Sequence, residues 1–414
     1  MLLSPFRERG AIMGGRRFVG VSGPLEAHEA GFAGELAGLG YVVRVVRLQV
    51  RLMGELSFWL DREGLDGSGL SVAVAEEFMA ARRQAGCERW ITVASLRPLL
   101  GYLDRLGVTP PPAVAVLDPT EEMLDRFGRY LRVERGLGEG TICGYVHAVR
   151  PFVAGRSREG MVDLSGLSAA EVSEFIVAAC PGRPRGVAKV IVTAMRSLLG
   201  WLHLEGVVPV PLAAAVPSVA SRRLSGLPDP LNAAQIKALL AACDRRSWVG
   251  RRDYAMMMLL WRLGMRAGEV ARLGLDDIDW RAAEIVVSGK GPKIECLPLP
   301  ADVGEAVAAW LRRGRPGTAQ GRSVFVRVVA PHRELTSTGV TQAVFAAGQR
   351  AGLGCVHAHR LRHSAASAMM AAGATLPEIG QVLRHRRLLT TSIYAKIDIA
   401  ALRSVAAAWP GSPR

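Results

Sequence analysis

The chain has 414 residues, 50% of them hydrophobic and 21% charged, which excludes a disordered protein and at this length indicates several domains. Lys and Arg (52) outnumber Asp and Glu (37), giving a net charge of +15. This excess favours a polyanionic partner, nucleic acid first and a membrane surface second.

Even the longest apolar runs of the sequence are too short to span a membrane. The run AMMMLLW at 255–261, for example, falls far below the ~20 residues that a bilayer requires. The amino-terminal twenty residues also lack the continuous apolar core of a signal peptide. These features predict a cytoplasmic protein associated with the nucleoid and no membrane partner.

The cysteines carry no metal or disulfide pattern. None of the six belongs to a CxxC pair, so we expect reduced and mostly buried thiols, as is usual in the cytoplasm. They are Cys87, Cys143, Cys180, Cys243, Cys296 and Cys355.

The first half of the chain contains an internal repeat. LSVAVAEEFMAARR (70–83) resembles LSAAEVSEFIVAAC (167–180), and segment 95–116 resembles 194–216. Each copy shows helical periodicity and a Pro-rich end. We therefore predict a duplicated helical binding module rather than an enzyme core.

The repeat and the composition predict the domain boundaries. The second half has helical patterns and one β signal, two strand-like runs within 284–300 joined by a Gly/Lys/Pro turn. Asn232 is expected to cap the first helix after a Pro-rich linker. The predicted fold is two all-α domains followed by a mainly α domain with a small β-hairpin (α+β). The segments are an extension (1–29), the two repeats (30–113 and 118–215), the linker (216–229), the last domain (230–405) and a tail (406–414).

Arg266 is the first candidate site residue. It follows a helix break predicted at Gly264 and begins the next amphipathic helix. At such a position a guanidinium can join free backbone N–H groups in binding an anion. A solvated arginine is the alternative that this feature alone leaves open.

Lys290 lies in the turn SGKGPK between the two strand-like runs. A lysine at a hairpin tip can reach a DNA groove or a phosphate, although such turns are also ordinary hairpin chemistry. The chain has no GxxxxGK[ST] motif, which excludes a nucleotide P-loop of that type.

The segment HAHRLRH (357–363) concentrates three histidines and two arginines. On a helix, His359 and Arg362 are three apart and share a face. His359 and His363 have a spacing that zinc sites use, but neighbouring arginines and the lack of a third suitable ligand argue against a metal. His363 is expected to support the site rather than to act in it.

The segment IGQVLRHRRLLTTSIYAKID (379–398) predicts a helix that ends near His385 and, after a basic turn, a second helix with Tyr394. Thr390 or Thr391 could cap that helix. A single tyrosine on an amphipathic helix is usually a core residue. Tyr394 is a candidate site residue only because of the other candidates near it in the sequence.

Together these candidates resemble the active site of the tyrosine recombinase (phage integrase) family. GMRAGEVARL (264–273) resembles the first arginine box, HRLRH (359–363) the second, and LRHRRLLTTSIYAKID (383–398) the nucleophile box, with Arg384 where glycine is more usual. The likeness covers 228–405 and, more weakly, 118–215, which resembles the helical core-binding domain. The matched residues are Arg266, Lys290, His359, Arg362, His385 and Tyr394.

The resemblance implies a metal-free and ATP-free DNA recombinase without a cofactor. It implies Tyr394 as nucleophile in a 3′-phosphotyrosyl intermediate, Arg266 and Arg362 as phosphate clamps, and Lys290 as general acid. His359 would accept or relay a proton, and His385 would donate a hydrogen bond to the phosphate. The implied partners are double-stranded DNA with specific recombination sites, a homo-tetramer on synapsed DNA and possible accessory recombinase subunits.

Two alternatives remain open in the sequence. A type IB topoisomerase uses similar chemistry to relax DNA without a defined site. A catalytically silent DNA-binding accessory subunit would keep the binding domains alone. A membrane-associated basic protein is disfavoured, since no amphipathic basic helix stands apart from the repeats.

Overall fold

The structure is a computed structural model that describes residues 20–111, 118–158, 160–219, 230–288 and 294–384. Within these ranges it is mainly helical with two small antiparallel sheets, which confirms the predicted fold class. The expectations for residues 1–19 and for Lys290, His385, Thr390, Thr391 and Tyr394 lie outside the described residues.

The chain divides into two compact units. One contains the described residues up to 111 together with those from 230 onward, and the other contains the described residues between 118 and 219. Their hydrophobic residues form three main cores, two in the first unit and one in the second.

The amino-terminal part of the first unit is a four-helix domain. Its core includes Met53, Leu56 and Leu60, fully buried at the three- and four-residue spacing of one helix face. Short 3₁₀ turns occur at Glu26–His28, Gly67–Gly69 and Val93–Ser95. The helices are α1 (Glu29–Gly38), α2 (Val43–Arg62), α3 (Val72–Gln84) and α4 (Arg97–Arg105).

The second unit has the same succession of four helices. The repeated sequence segments overlap α3 and its counterpart α7 (Ala169–Ala179), and α4 and its counterpart α8 (Arg185–Leu204). The duplicated sequence thus coincides with helices at the same place in the two successions. A two-stranded ladder and a 3₁₀ turn at Leu212–Ala215 complete the unit. Its elements are α5 (Pro119–Val133), α6 (Glu139–Ala154), β1 (Ser157–Arg158), β2 (Met161–Val162), α7 (Ala169–Ala179) and α8 (Arg185–Leu204).

Among the described helices, α8 alone has the length and apolar composition of a membrane span, and half of its apolar window is buried inside the protein. Met195, Leu199 and Leu202 face the core of the second unit. The helix therefore has an apolar face because it is the central core helix of its unit.

The carboxy-terminal part of the first unit is built around α10 (Trp248–Arg262). Residues 255–260 of this helix are buried on all sides, which explains the uninterrupted apolar run seen in the sequence. The helices are α9 (Ala233–Ala241), α10 (Trp248–Arg262), α11 (Ala267–Arg272), α12 (Ala301–Arg313), α13 (Ser337–Arg350), α14 (Ala358–Ala371) and α15 (Leu376–Val382). As predicted, Asn232 caps α9, with its side chain accepting from the Gln235 N–H at 2.9 Å.

The segment with the predicted β signal forms the last two strands of a three-stranded antiparallel sheet, whose strand order follows the chain: β3 (Ile278–Asp279), β4 (Glu284–Ser288) and β5 (Ile294–Pro298). Ile285 lies opposite Leu297 in the β4–β5 register. The turn between these strands, with Lys290, lies outside the described residues. The strands are β3 (Ile278–Asp279), β4 (Glu284–Ser288) and β5 (Ile294–Pro298), preceded by a 3₁₀ turn at Leu275–Asp277.

The expectation of mostly buried cysteines is wrong. All six thiols are free, yet only Cys243 is buried, while Cys143, Cys296 and Cys355 are exposed. Cys296 shows the reason, because it lies on the open face of β5, where alternate side chains point to solvent.

Candidate active site

A turn at Gly264 positions Arg266 at the start of the next helix. Helix α10 ends at Arg262, and Gly264 then adopts φ +57°, as the sequence-predicted helix break requires. A Cβ at Gly264 would collide with the side chain of Leu383, so glycine suits both the backbone angle and this close packing. Arg266 follows as the N-cap of α11.

Glu269 fixes the position of Arg266. The Arg266 backbone N–H donates to Glu269 Oε2 (2.8 Å), and Nη1 donates to Oε1 (2.6 Å). Nη2 donates to the carbonyl oxygen of Arg384 (3.1 Å), while the side chain stays 40% exposed. The guanidinium is thus held in one orientation and still has an accessible side.

Arg362 is held differently, because it is only 1% exposed. From α14 its Nη1 donates to the carbonyl of Gly264 and its Nη2 donates to the carbonyl of Leu383. Arg362 and Arg266 therefore bind the consecutive carbonyls of Leu383 and Arg384, which follow the end of α15.

One cavity brings three of the six sequence-predicted residues together. It has a volume of about 190 Å³ and is lined by Arg266, His359 and Arg362, with backbone and side chains of neighbouring residues completing the wall. Two guanidinium groups and one imidazole around a small opening form a binding site suited to an anion. Lys290, His385 and Tyr394 lie outside the described residues, so the structure does not place them.

The two histidines of α14 are in edge contact. The rings of His359 and His363 lie 4.4 Å apart between centroids at 79°. Partial burial of the His359 ring, then the charges of Arg362 and Arg266, lower its pKa, although part of the residue is open to solvent. Burial, followed by His359 and Arg362, lowers the pKa of His363 to about 4. Both shifts favour the neutral form of the ring.

No group of three or more His, Cys, Asp or Glu residues suited to a metal occurs in the part of the chain that the structure describes. The pairing of His359 with His363 is instead a ring contact next to Arg362.

Glu269 and Arg384 also belong to the site, although neither was among the residues predicted from the sequence. Burial raises the pKa of Glu269, but the Arg266 N–H and the charges of Arg384 and Arg266 outweigh it, so the pKa lies below its usual value. The carboxylate is thus ionised although Glu269 is 4% exposed. The sequence signal for Glu269 was its position, because an acidic residue three places after a helix N-cap often bonds back to the cap.

The mainly helical fold and the arginine–histidine cavity agree with the class that the sequence resembles, the tyrosine recombinases. The model of the phage integrase family matches residues 230–400. The chain belongs to the tyrosine recombinase (phage integrase) family and is a site-specific recombinase.

Two relatives illustrate the relationship. The chain is 38% identical to the integrase/recombinase y4rA of Sinorhizobium fredii over 94% of this chain and 95% of that protein. It is 33% identical to the tyrosine recombinase XerD of Mycobacterium tuberculosis over 68% of this chain and 94% of that protein. The match spans nearly all of XerD, whereas about a third of this chain lies outside it.

Two solved structures share the fold. One is the XerH site-specific recombinase bound to palindromic difH substrate in a post-cleavage complex, with a TM-score of 0.54 and 20% identity over 71% of this chain and 97% of that one. The other is a lambda integrase (75-356) dimer bound to a COC′ core site, with a TM-score of 0.51 and 17% identity over 66% and 94%.

Proposed function

We propose that this recombinase cleaves and rejoins double-stranded DNA at specific sites through a 3′-phosphotyrosyl intermediate, without metal, ATP or another cofactor. The observation that carries the proposal is the cavity that Arg266, His359 and Arg362 share. Structures of related fold are described as recombinases bound to DNA sites, which supports DNA as the substrate.

The arginines would stabilise the charge of the transition state. In phosphoryl transfer, negative charge is spread over the non-bridging oxygens, and planar guanidinium groups bind such oxygens in pairs. Arginine keeps its charge at every physiological pH, so Arg266 and Arg362 can supply the electrostatic stabilisation that a divalent metal supplies elsewhere.

His359 is suited to take up a proton. Its lowered pKa favours the neutral imidazole, which is the form that can accept a proton. In our proposal it accepts or relays the proton of Tyr394, while Lys290 protonates the leaving 5′-oxygen and His385 donates a hydrogen bond to the phosphate. The phosphotyrosyl ester conserves the bond energy, so that a DNA hydroxyl can reverse the reaction.

The helical domains would hold the DNA. In the first domain Arg44, Arg47 and Arg51 are exposed along one face of α2. Arg51 pairs with Glu55, whereas Arg44 and Arg47 lack a carboxylate at ion-pair distance among the described residues. The y4rA match extends over 94% of this chain and so includes most of this domain. We propose that the domain lengthens the contact with DNA.

The assembly we propose is a homo-tetramer on two synapsed sites, with accessory recombinase subunits as further partners, in the cytoplasm and on the nucleoid. A plasmid bearing two copies of the target site, selected first from a random DNA library, tests the function in EDTA. Exchange between the sites supports the proposal. Relaxation of plasmids lacking the site would indicate a topoisomerase, and binding without exchange a silent accessory subunit.

A further inference from the structure

Arg384 occupies a backbone conformation that disfavours side chains. Its φ is +55°, in the left-handed region that glycine adopts readily and other residues avoid. The family resemblance noted above has glycine as the more usual residue at this position. An arginine that persists there needs a compensating interaction from its side chain.

The side chain of Arg384 makes that interaction inside the protein. It is 4% exposed, and its Nη2 donates to Glu269 Oε2 at 2.7 Å. Nη1 donates to the carbonyl of Val382 (3.2 Å), and Nε lies 3.8 Å from Glu295 Oε2. A buried arginine thus pairs with the buried carboxylate that also fixes Arg266.

The three residues form a closed set of hydrogen bonds. Glu269 accepts from both arginines, and Arg266 Nη2 donates in turn to the Arg384 carbonyl at 3.1 Å. The orientation of Arg266 at the cavity therefore depends on Arg384 twice, through its side chain and through its backbone.

The charges give this arrangement a second consequence. Glu269 carries one negative charge between two guanidinium groups. Because Arg384 shares that charge, Arg266 is not fully neutralised by Glu269 and keeps a larger attraction for an anion in the cavity. If Arg384 were removed, Glu269 would pair with Arg266 alone.

We infer that Arg384 is a positioning residue of the recombinase: through Glu269 it orients Arg266 toward the scissile phosphate and leaves its charge available. The inference rests on the proposed function. Arg384 also lies in the nucleophile box, directly before His385 in the sequence. Its side chain therefore links that box to Glu269 of the first arginine box.

The Arg384→Gly variant tests the inference cleanly, because glycine relieves the backbone angle while removing the guanidinium. On a nicked DNA substrate under single-turnover conditions, we expect its maximal cleavage rate to fall about 10- to 100-fold, as for small misplacements of a transition-state group. DNA affinity should change little. Arg384→Lys, which keeps the charge, should recover part of the rate.

A double-mutant cycle with Arg266→Ala separates positioning from general stability. If Arg384 acts through Arg266, then Arg384→Gly costs little further rate in the Arg266→Ala background. Arg252→Met is the matched control, since it removes another buried arginine–carboxylate pair, to Asp253, that does not line the cavity. Melting temperatures of all variants are compared.

The outcomes are distinct. Wild type that forms no covalent adduct on its selected site overturns the proposed function itself. If wild type cleaves, an Arg384→Gly rate equal to that of wild type overturns the inference. So does a rate loss from Arg384→Gly that is as large in the Arg266→Ala background as in wild type. A rate loss of the same size in Arg252→Met, at the same melting temperature as Arg384→Gly, also overturns it. A loss confined to backgrounds with Arg266 supports it.

Discussion

Arg362 donates a hydrogen bond to the backbone carbonyl of Leu383, a residue 21 positions later in the chain, and a second one to the carbonyl of Gly264. A single buried guanidinium therefore joins the turn before Arg266 to the residue after α15. The same residue lines the cavity, so one side chain contributes both to the site and to the packing around it.

Replacing Arg362 should consequently cost both activity and stability. In Arg362→Met the buried carbonyls of Gly264 and Leu383 lose their donor, and we expect the free energy of unfolding to fall by about 2–4 kcal/mol. Urea denaturation measures this. Arg266→Met, at a side chain that is 40% exposed, should lose cleavage with a smaller loss of stability. Equal destabilisation by both variants would contradict the distinct roles described.

Gly264→Ala should destabilise the protein by about 1–3 kcal/mol, since alanine is strained at φ +57° and its Cβ would displace Leu383. Gly268→Ala is the matched control, because Gly268 lies within α11, where alanine favours the helix. Denaturant unfolding of the two variants should therefore differ in sign or by more than about 1 kcal/mol. A harmless Gly264→Ala would refute the turn geometry.

His363 should make the protein less stable in acid. Its folded-state pKa is about 4, below the unfolded value near 6.5, so the unfolded chain binds a proton first as the pH falls. The free energy of unfolding should decline between pH 6.5 and 4, and less steeply in His363→Gln. NMR titration of the ring gives the folded-state pKa directly. A midpoint near 6.5 would show that the ring is not shielded as described.

DNA binding should weaken steeply with salt, since the net charge is +15. If α2 contacts phosphates, the double variant Arg44→Gln/Arg47→Gln should reduce the slope of log affinity against log salt by about 2. Arg51→Gln is the control, because that arginine of the same helix already pairs with Glu55 at 3.1 Å. An unchanged slope in the double variant, or a DNase footprint of unchanged length after deletion of 30–113, would show that the first domain does not contact DNA.

Local sequence signals predicted local structure well. The break at Gly264, the Asn232 cap, the strands β4 and β5 and the helix carrying HRLRH all follow from turn chemistry and periodicity, and the structure contains each of them. These features depend on residues within a few positions of one another.

Long-range pairings could not be predicted in the same way. The ion pair of Arg384 with Glu269 joins residues 115 positions apart, and neither residue alone indicates it. The exposure of Cys296 likewise depends on which face of β5 packs against the protein. The burial of Arg362 against two carbonyls was also not predictable, because an arginine on an amphipathic helix is usually placed at the surface.

The covalent step is tested most directly with a nicked suicide substrate in EDTA, in which the cleaved fragment diffuses away and traps the protein–DNA adduct. Wild type and Tyr394→Phe are compared on the selected target site. We predict a denaturation-resistant adduct with wild type alone, and peptide mapping should locate the linkage at Tyr394. An adduct that persists in Tyr394→Phe would place the nucleophile elsewhere, and no adduct with wild type on a tightly bound site would contradict the proposed mechanism.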